Sequence, residues 1–294
     1  MRITDNARLL ASLRNTTFAT VRLTQASRRA GAGARVTVAS DDPVAYATSV
    51  RRGSAATNLS SRSRIARASA DELAIAERSL DAATDLLSEA RSMAVQGSNE
   101  ALSPTDRAAL AQRVAGIREQ VLEIANKRGA DGFLFGGTKT DTAPFDAAGT
   151  FLGNDDAVYL PITDGVSPRK NASGAKAFTA AAGGVDVFAE LTALQTALAS
   201  DNLTGIRTSI DKMQKSYDQV VAAQVDSGLA IERFHGAADT LDDSALFINQ
   251  SRARDVGAED LAQLATELSA ASNAYTQSLE VTRRLLAIPS LAER

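Results

Sequence analysis

With 294 residues, no cysteine, no tryptophan and a single histidine, the chain excludes disulfides, thiol nucleophiles, cysteine-held metals and, within one copy, a multi-histidine centre. Aromatic residues make up only 4% of the sequence, which points away from a compact enzyme and towards elongated helices packed through narrow alanine and leucine seams. The net charge of −3 is unevenly spread: residues 1–40 hold seven arginines (Arg2, Arg8, Arg14, Arg22, Arg28, Arg29, Arg35) against Asp5 alone, and the last forty lean acidic through Asp255, Glu259, Asp260, Glu267, Glu280 and Glu293. Ends of opposite sign are expected to pair with each other or with neighbouring copies. A basic arm for nucleic acid is the weaker reading, because the arginines follow an amphipathic pattern without interleaved aromatics.

No apolar run reaches membrane-spanning length, so no membrane insertion is expected. The stretch Met1–Asp5 opens no uninterrupted apolar core of a cleavable signal, which leaves either the cytoplasm or export by a route that reads no such peptide.

In chain order, Ile3, Leu10, Leu13, Thr17 and Val21 recur at roughly helical spacing over residues 3–28, a threonine-rich helix that is marginal if isolated. Gly31-Ala32-Gly33 interrupts it, and Val36-Thr37-Val38 is briefly extended. The motif Ser40-Asp41-Asp42-Pro43 then starts the longest element. Asp42 is placed to cap a helix whose first residue, Pro43, lacks the N–H that this position cannot use. Downstream, Leu73, Ala76, Leu80, Ala83, Leu87, Ala90 and Ala94 repeat with spacings of three and four, a seam that calls for another helix. From Pro43 to about Gln96 this gives a rod of roughly 80 Å at the usual helical rise.

Ser103-Pro104-Thr105-Asp106 predicts a restart, with Ser103 as cap and a helix over 104–128 that folds back on the rod and stops at Gly129. From Gly132 the pattern changes to Phe133-Leu134-Phe135-Gly136-Gly137, Pro144-Phe145 and a stretch dense in Gly, Asp and Ala, so 133–184 is expected to be a small β-rich insertion with Val158-Tyr159-Leu160 as a short strand. Phe188, Leu191, Leu194 and Leu198 mark a short helix, and Asp201 or Asn202 caps the next. Its seam runs Ile206, Ile210, Met213, Tyr217, Val220, Gln224, Ser227, Ile231, Phe234, Ala238, Leu241, Ala245 and Ile248, a second rod. After a break at Asp255-Val256-Gly257, a last helix carries Leu261, Leu264, Leu268, Tyr275, Leu279 and Leu286 and ends before Pro289.

The expected fold is therefore mainly α: an elongated antiparallel helical bundle, or coiled coil, built from both chain halves with a small β-rich insertion. Three parts follow from it: a terminal helical segment (1–40 and 256–294), a helical rod domain (41–132 and 185–255) and the insertion (133–184).

Candidate chemistry dissolves on inspection. Gly132–Thr140 approaches a phosphate loop but puts Thr138 where the lysine must stand, and a structural turn explains it better. Asp41-Asp42 reads as a helix start rather than an acid–base pair. Asn154-Asp155-Asp156 lacks the spacing and terminal glutamate of a calcium loop, and His235 has no nucleophile in a recognisable context. No catalytic, cofactor or metal site is expected, and so no enzyme.

Two segments carry a resemblance. Gly33-Ala34-Arg35-Val36-Thr37-Val38-Ala39-Ser40-Asp41-Asp42-Pro43 is similar to the N-terminal signature of flagellin-like axial proteins, and its Pro43 resembles the hook–filament junction (hook-associated protein 3) branch. Phe133-Leu134-Phe135-Gly136-Gly137-Thr138-Lys139-Thr140-Asp141-Thr142-Ala143-Pro144-Phe145 is similar to a second block of that branch, although Ala34 replaces the usual lysine and Ile288-Pro289-Ser290-Leu291 lacks the flagellin ending. The resemblance implies a structural subunit of the bacterial flagellum between hook and filament, exported unfolded without signal cleavage and therefore extracellular. It implies as partners further copies of the chain, flagellin, a neighbouring hook-associated protein and a cytoplasmic export chaperone on the C-terminal helix. The expected subunit contacts are Leu9, Leu10, Leu13, Leu268, Tyr275 and Leu279. The alternative is a short flagellin that forms the filament itself; a cytoplasmic signalling coiled coil is more remote.

Overall fold

The computed structural model describes residues 2–163, 165–258 and 261–287, and for residues 2–5 and 182 the backbone alone. Glu259, Asp260, Glu293 and the segment Ile288–Leu291 with its Pro289 lie outside the described residues. The chain divides into two compact units, one built from Met1–Ser60 with Asp242–Arg294 and the other from Ser61–Leu241.

In the first unit, helix α1 (Arg2–Ala32) ends where Gly33 takes a φ of +61°, a left-handed conformation that a side chain would strain. A ten-residue connector leads to helix α2 (Pro43–Gly97), whose opening turns belong to this unit. The connector is tied down where the Val36 N–H donates to the Val256 carbonyl at 3.1 Å.

The second unit begins within α2 and continues with α3 (Pro104–Ala125). All seven α2 seam positions from Leu73 to Ala94 are buried, at 2% exposure or less. Ser103 accepts from the Asp106 N–H at 3.2 Å, so the cap read from sequence is present. The helix stops at Ala125 rather than running on to 128, because the Asn126 side chain is diverted to the insertion. Its amide donates to the Phe145 carbonyl and its carbonyl accepts the Phe145 N–H, both at 3.0 Å.

The insertion carries less strand than its sequence suggests. Strands β1 (Arg128–Gly129) and β2 (Gly132–Phe133) form one antiparallel hairpin, in register Arg128↔Phe133. Beyond them the described residues hold isolated bridges, among them Tyr159↔Arg169 in a hairpin closed by Thr163↔Val166, and the short helix α4 (Gly174–Phe178). The physical reason is the use of the aromatics. Phe135, Phe145 and Phe178 turn inward and pack with Phe188 of α5 (Val187–Ala199) instead of alternating along strands, with ring centroids 5.2 Å apart for Phe145 and Phe188.

Helix α6 (Leu203–Asp255) supplies the opposite wall and is capped by Asn202, whose side-chain oxygen accepts the Gly205 N–H at 3.0 Å. None of its thirteen seam positions from Ile206 to Ile248 is exposed. Within the second unit α6 runs antiparallel to α2, with Arg67 meeting Asp239 at 2.8 Å and Gln224 meeting Glu77 at 2.8 Å. Back in the first unit α6 ends at Asp255, paired with Arg52 at 2.7 Å, and Gly257 at φ +66° turns the chain into α7 (Leu261–Leu286).

Candidate assembly interface

Helices α1 and α7 pack antiparallel, as their paired residues require: Ser12 meets Thr282, Thr16 meets Ser278 and Arg29 meets Glu267. The facing seam of α1 is Leu9, Ser12, Thr16, Ala19, Leu23 and Ala26; that of α7 is Leu264, Leu268, Ala271, Tyr275, Ser278 and Thr282. One end of it is a ladder of hydroxyls. Ser12 and Thr282 share a hydrogen bond of 2.8 Å, and Ser278 donates to Thr16 at 2.7 Å. Of the pairing expected by charge, Arg29 meets Glu267 at 3.8 Å across a half-open surface, a contact that contributes little.

The seam mixes four leucines and a tyrosine with alanines and hydroxyls, so its yield is uneven along its length. Each hydrogen bond contributes about 1 kcal/mol net, whereas burying a leucine contributes roughly 1.5–3 kcal/mol. Beyond Leu9 and Leu23, the large apolar side chains Leu10, Leu13, Phe18 and Val21 of α1 face elsewhere, at 58%, 47%, 70% and 49% exposure. At 100° per residue these four fall on one side of the helix, opposite its seam. A helix apolar on both sides needs a second partner.

The six contact positions expected from sequence divide accordingly. Leu10 and Leu13 lie on the open face, whereas Leu9, Leu268, Tyr275 and Leu279 are half-buried on the α1–α7 side. Phe18 and Val21 were not among them, yet they continue the open face. Their signal was in the sequence: Val21 already stood in the stripe with Leu10 and Leu13, and Phe18 falls on the same side of the helix.

Asp42 and Asp41 divide their work at the junction of α1 and α2. The Asp42 carboxylate accepts the Ala45 N–H at 3.0 Å and caps α2, while the flanking Ser40 and Pro43 are exposed. Asp41 faces back into the connector. One of its oxygens accepts the Thr37 N–H and hydroxyl, each at 3.0 Å, and the Val38 N–H at 3.2 Å; the other meets Arg29 at 3.3 Å. Thus one carboxylate clamps the last turn of α1 to the connector. These donors, the Thr37 N–H foremost, hold its pKa down at about 2 against the opposing effect of burial. Since the folded state binds this proton more weakly than the unfolded chain does, the clamp's contribution is full above pH 4 and is lost as pH falls towards 2. Asp41→Asn should therefore lose stability at neutral pH and flatten the melting curve's dependence on pH between 4 and 2, read by circular dichroism.

The remaining motifs are structural here. Gly137, at φ +72°, presses against Asn154, which accepts the Thr138 N–H at 2.8 Å and donates to the Thr138 hydroxyl at 2.7 Å. The glycine-rich loop and the Asn154-Asp155-Asp156 run are thus two halves of one turn lock. His235 sits half-buried on α6. Among the described residues no group of three or more His, Asp or Glu is placed to hold a metal, and no helix is long and apolar enough to cross a membrane.

Residues 3–140 match the family described as the bacterial flagellin N-terminal helical region. A stretch of 132 residues, 44% of this chain, is 33% identical to flagellar hook-associated protein 3 of Salmonella typhimurium and covers 42% of that protein, so the match spans under half of the relative's length. Flagellin FljM of Caulobacter vibrioides is 27% identical over 246 residues, 78% of this chain and 86% of that one. A solved structure from Vibrio parahaemolyticus, assigned as a flagellar hook-associated protein, superposes with a TM-score of 0.66 at 21% identity, over 74% of this chain and 100% of that chain. At that identity the likeness carries the fold alone.

Proposed function

We propose that this chain is a member of the flagellin-like superfamily, and a structural and non-enzymatic subunit of the flagellum that joins the hook side to the flagellin filament; the match over residues 3–140 supports the first part. The observation that carries the reading is the apolar face of α1 turned away from α7, through Leu10, Leu13, Phe18 and Val21. Neighbouring copies, flagellin and an adjacent hook-associated protein are the partners that would cover it, as the family of the matched relatives suggests. Leu9, Leu268, Tyr275 and Leu279 act indirectly, by keeping α7 against α1 so that the open face is presented. The same incompleteness suits a chain exported unfolded to the cell exterior, with a cytoplasmic chaperone holding α7 until then.

The experiment is deletion of the gene in the source bacterium. Hooks should remain, flagellin should pass into the medium, and the wild-type gene should restore filaments. Filaments still attached to hooks in the deletion strain would overturn the reading. A second reading, a filament-forming short flagellin, is favoured by the long match to the Caulobacter flagellin. Purified protein growing into long filaments on a seed would select it.

A further inference from the structure

We infer that the second unit carries its own contact between copies, in which Ile65 of one copy enters an apolar cavity beside Glu72 of another. The cavity holds about 180 Å³ and is walled by Leu73, Ala76, Leu134 and Val158. An apolar cavity of about 150 Å³ suffices for a benzene molecule, so an isoleucine side chain fits. Three of these four walls are buried, Leu73 and Ala76 at 2% and Leu134 at 7%, while Val158 at 38% marks the mouth.

Charge at the mouth selects what enters. Lys170 sits 2.7 Å from Asp131 and 3.7 Å from Glu72, two carboxylates against one ammonium, so a net negative rim surrounds an apolar floor. The matching shape is an apolar side chain beside unpaired cations. Between Pro43 and Ala70 the sequence has five arginines and no acid. Ile65 lies in that stretch, 52% exposed, with Arg62 three residues before it on the same helical face. Neither Arg62 nor Arg64 forms an ion pair among the described residues. A single exposed isoleucine is ordinary; one beside Arg62 and Arg64, neither of them ion-paired, on a chain with a carboxylate-rimmed apolar cavity, is complementary to a second copy. Val225 and Leu229, exposed on α6, stand instead beside Asp226, which is already paired with Lys176 at 3.8 Å, and so offer no unpaired cation to the rim.

The contact is independent of the junction reading: copies could associate this way without joining a hook, and a junction subunit could lack it. Because the natural chain has no cysteine, the full-length protein tests it directly. Carrying Ile65→Cys and Val158→Cys together, it should form intermolecular disulfides under mild oxidation at least tenfold more than either single variant. Adding Arg62→Glu, or raising the salt, should reduce the yield about fivefold or more. Circular dichroism of each variant confirms that the helices are retained. Absence of an excess over the single variants at millimolar protein would overturn the inference. So would equal cross-linking when Val50→Cys, next to Arg51 and Arg52, replaces Ile65→Cys.

Discussion

Arg107→Ala is expected to lower the stability of the second unit by about 3 kcal/mol. Arg107 begins α3 but is only 3% exposed. Its Nε donates to the Gly97 carbonyl at 2.8 Å and one Nη to the Asn99 carbonyl at 2.7 Å, so it satisfies the open end of α2 and the loop that follows. The other Nη pairs with Asp201, which is held at a φ of +56° between α5 and α6. One guanidinium thus bolts two helix turnarounds together. Alanine leaves the Gly97 and Asn99 carbonyls without their donor, the first of them on a buried residue. Lysine keeps the charge but offers one nitrogen where three are used, so Arg107→Lys should recover less than half of the loss. Urea unfolding followed by circular dichroism measures both. A loss below about 1 kcal/mol for alanine would show that water replaces the guanidinium.

Leu13→Asp with Phe18→Asp should abolish assembly while leaving the isolated chain's melting temperature nearly unchanged. The two side chains are 47% and 70% exposed, so the fold of the single chain gains little from them. If each is buried against a neighbour, roughly 1.5–3 kcal/mol apiece is lost, or about two to four orders of magnitude in association together. Restoration of filaments in the deletion strain reads the effect, with Asn15→Asp, exposed on the same helix but off that face, as a comparison. An unaltered assembly in the double variant would place the contact elsewhere. A large fall in melting temperature would mean instead that this face is covered within the chain.

The long seams were fully legible. Leu73 to Ala94 and Ile206 to Ile248 read as helix faces and lie buried or half-buried, because a 3.5-residue repeat has one way to hide its apolar side. The caps at Asp42 and Ser103 were legible for the same local reason: short polar side chains before a proline satisfy free helix donors. Less legible was the insertion, where Gly and Phe allow many turns and only packing against α5 selects among them. Of the interface, the stripe through Leu10 and Leu13 could be read, but the division of α1 into a mixed seam against α7 and an apolar outer face could not. That division depends on which side α7 takes.

By itself the sequence determined the helices, their breaks and their starts, since periodicity, capping and glycine conformations act over a few residues. Asp41 and Arg107 show what it left open. Each is an ordinary charged residue near a helix start, yet Asp41 clamps Arg29, Thr37 and Val38, and Arg107 is buried against Gly97, Asn99 and Asp201. Only the tertiary structure decided those roles, because a charge becomes a bolt when distant backbone groups without partners are brought within hydrogen-bonding reach of it.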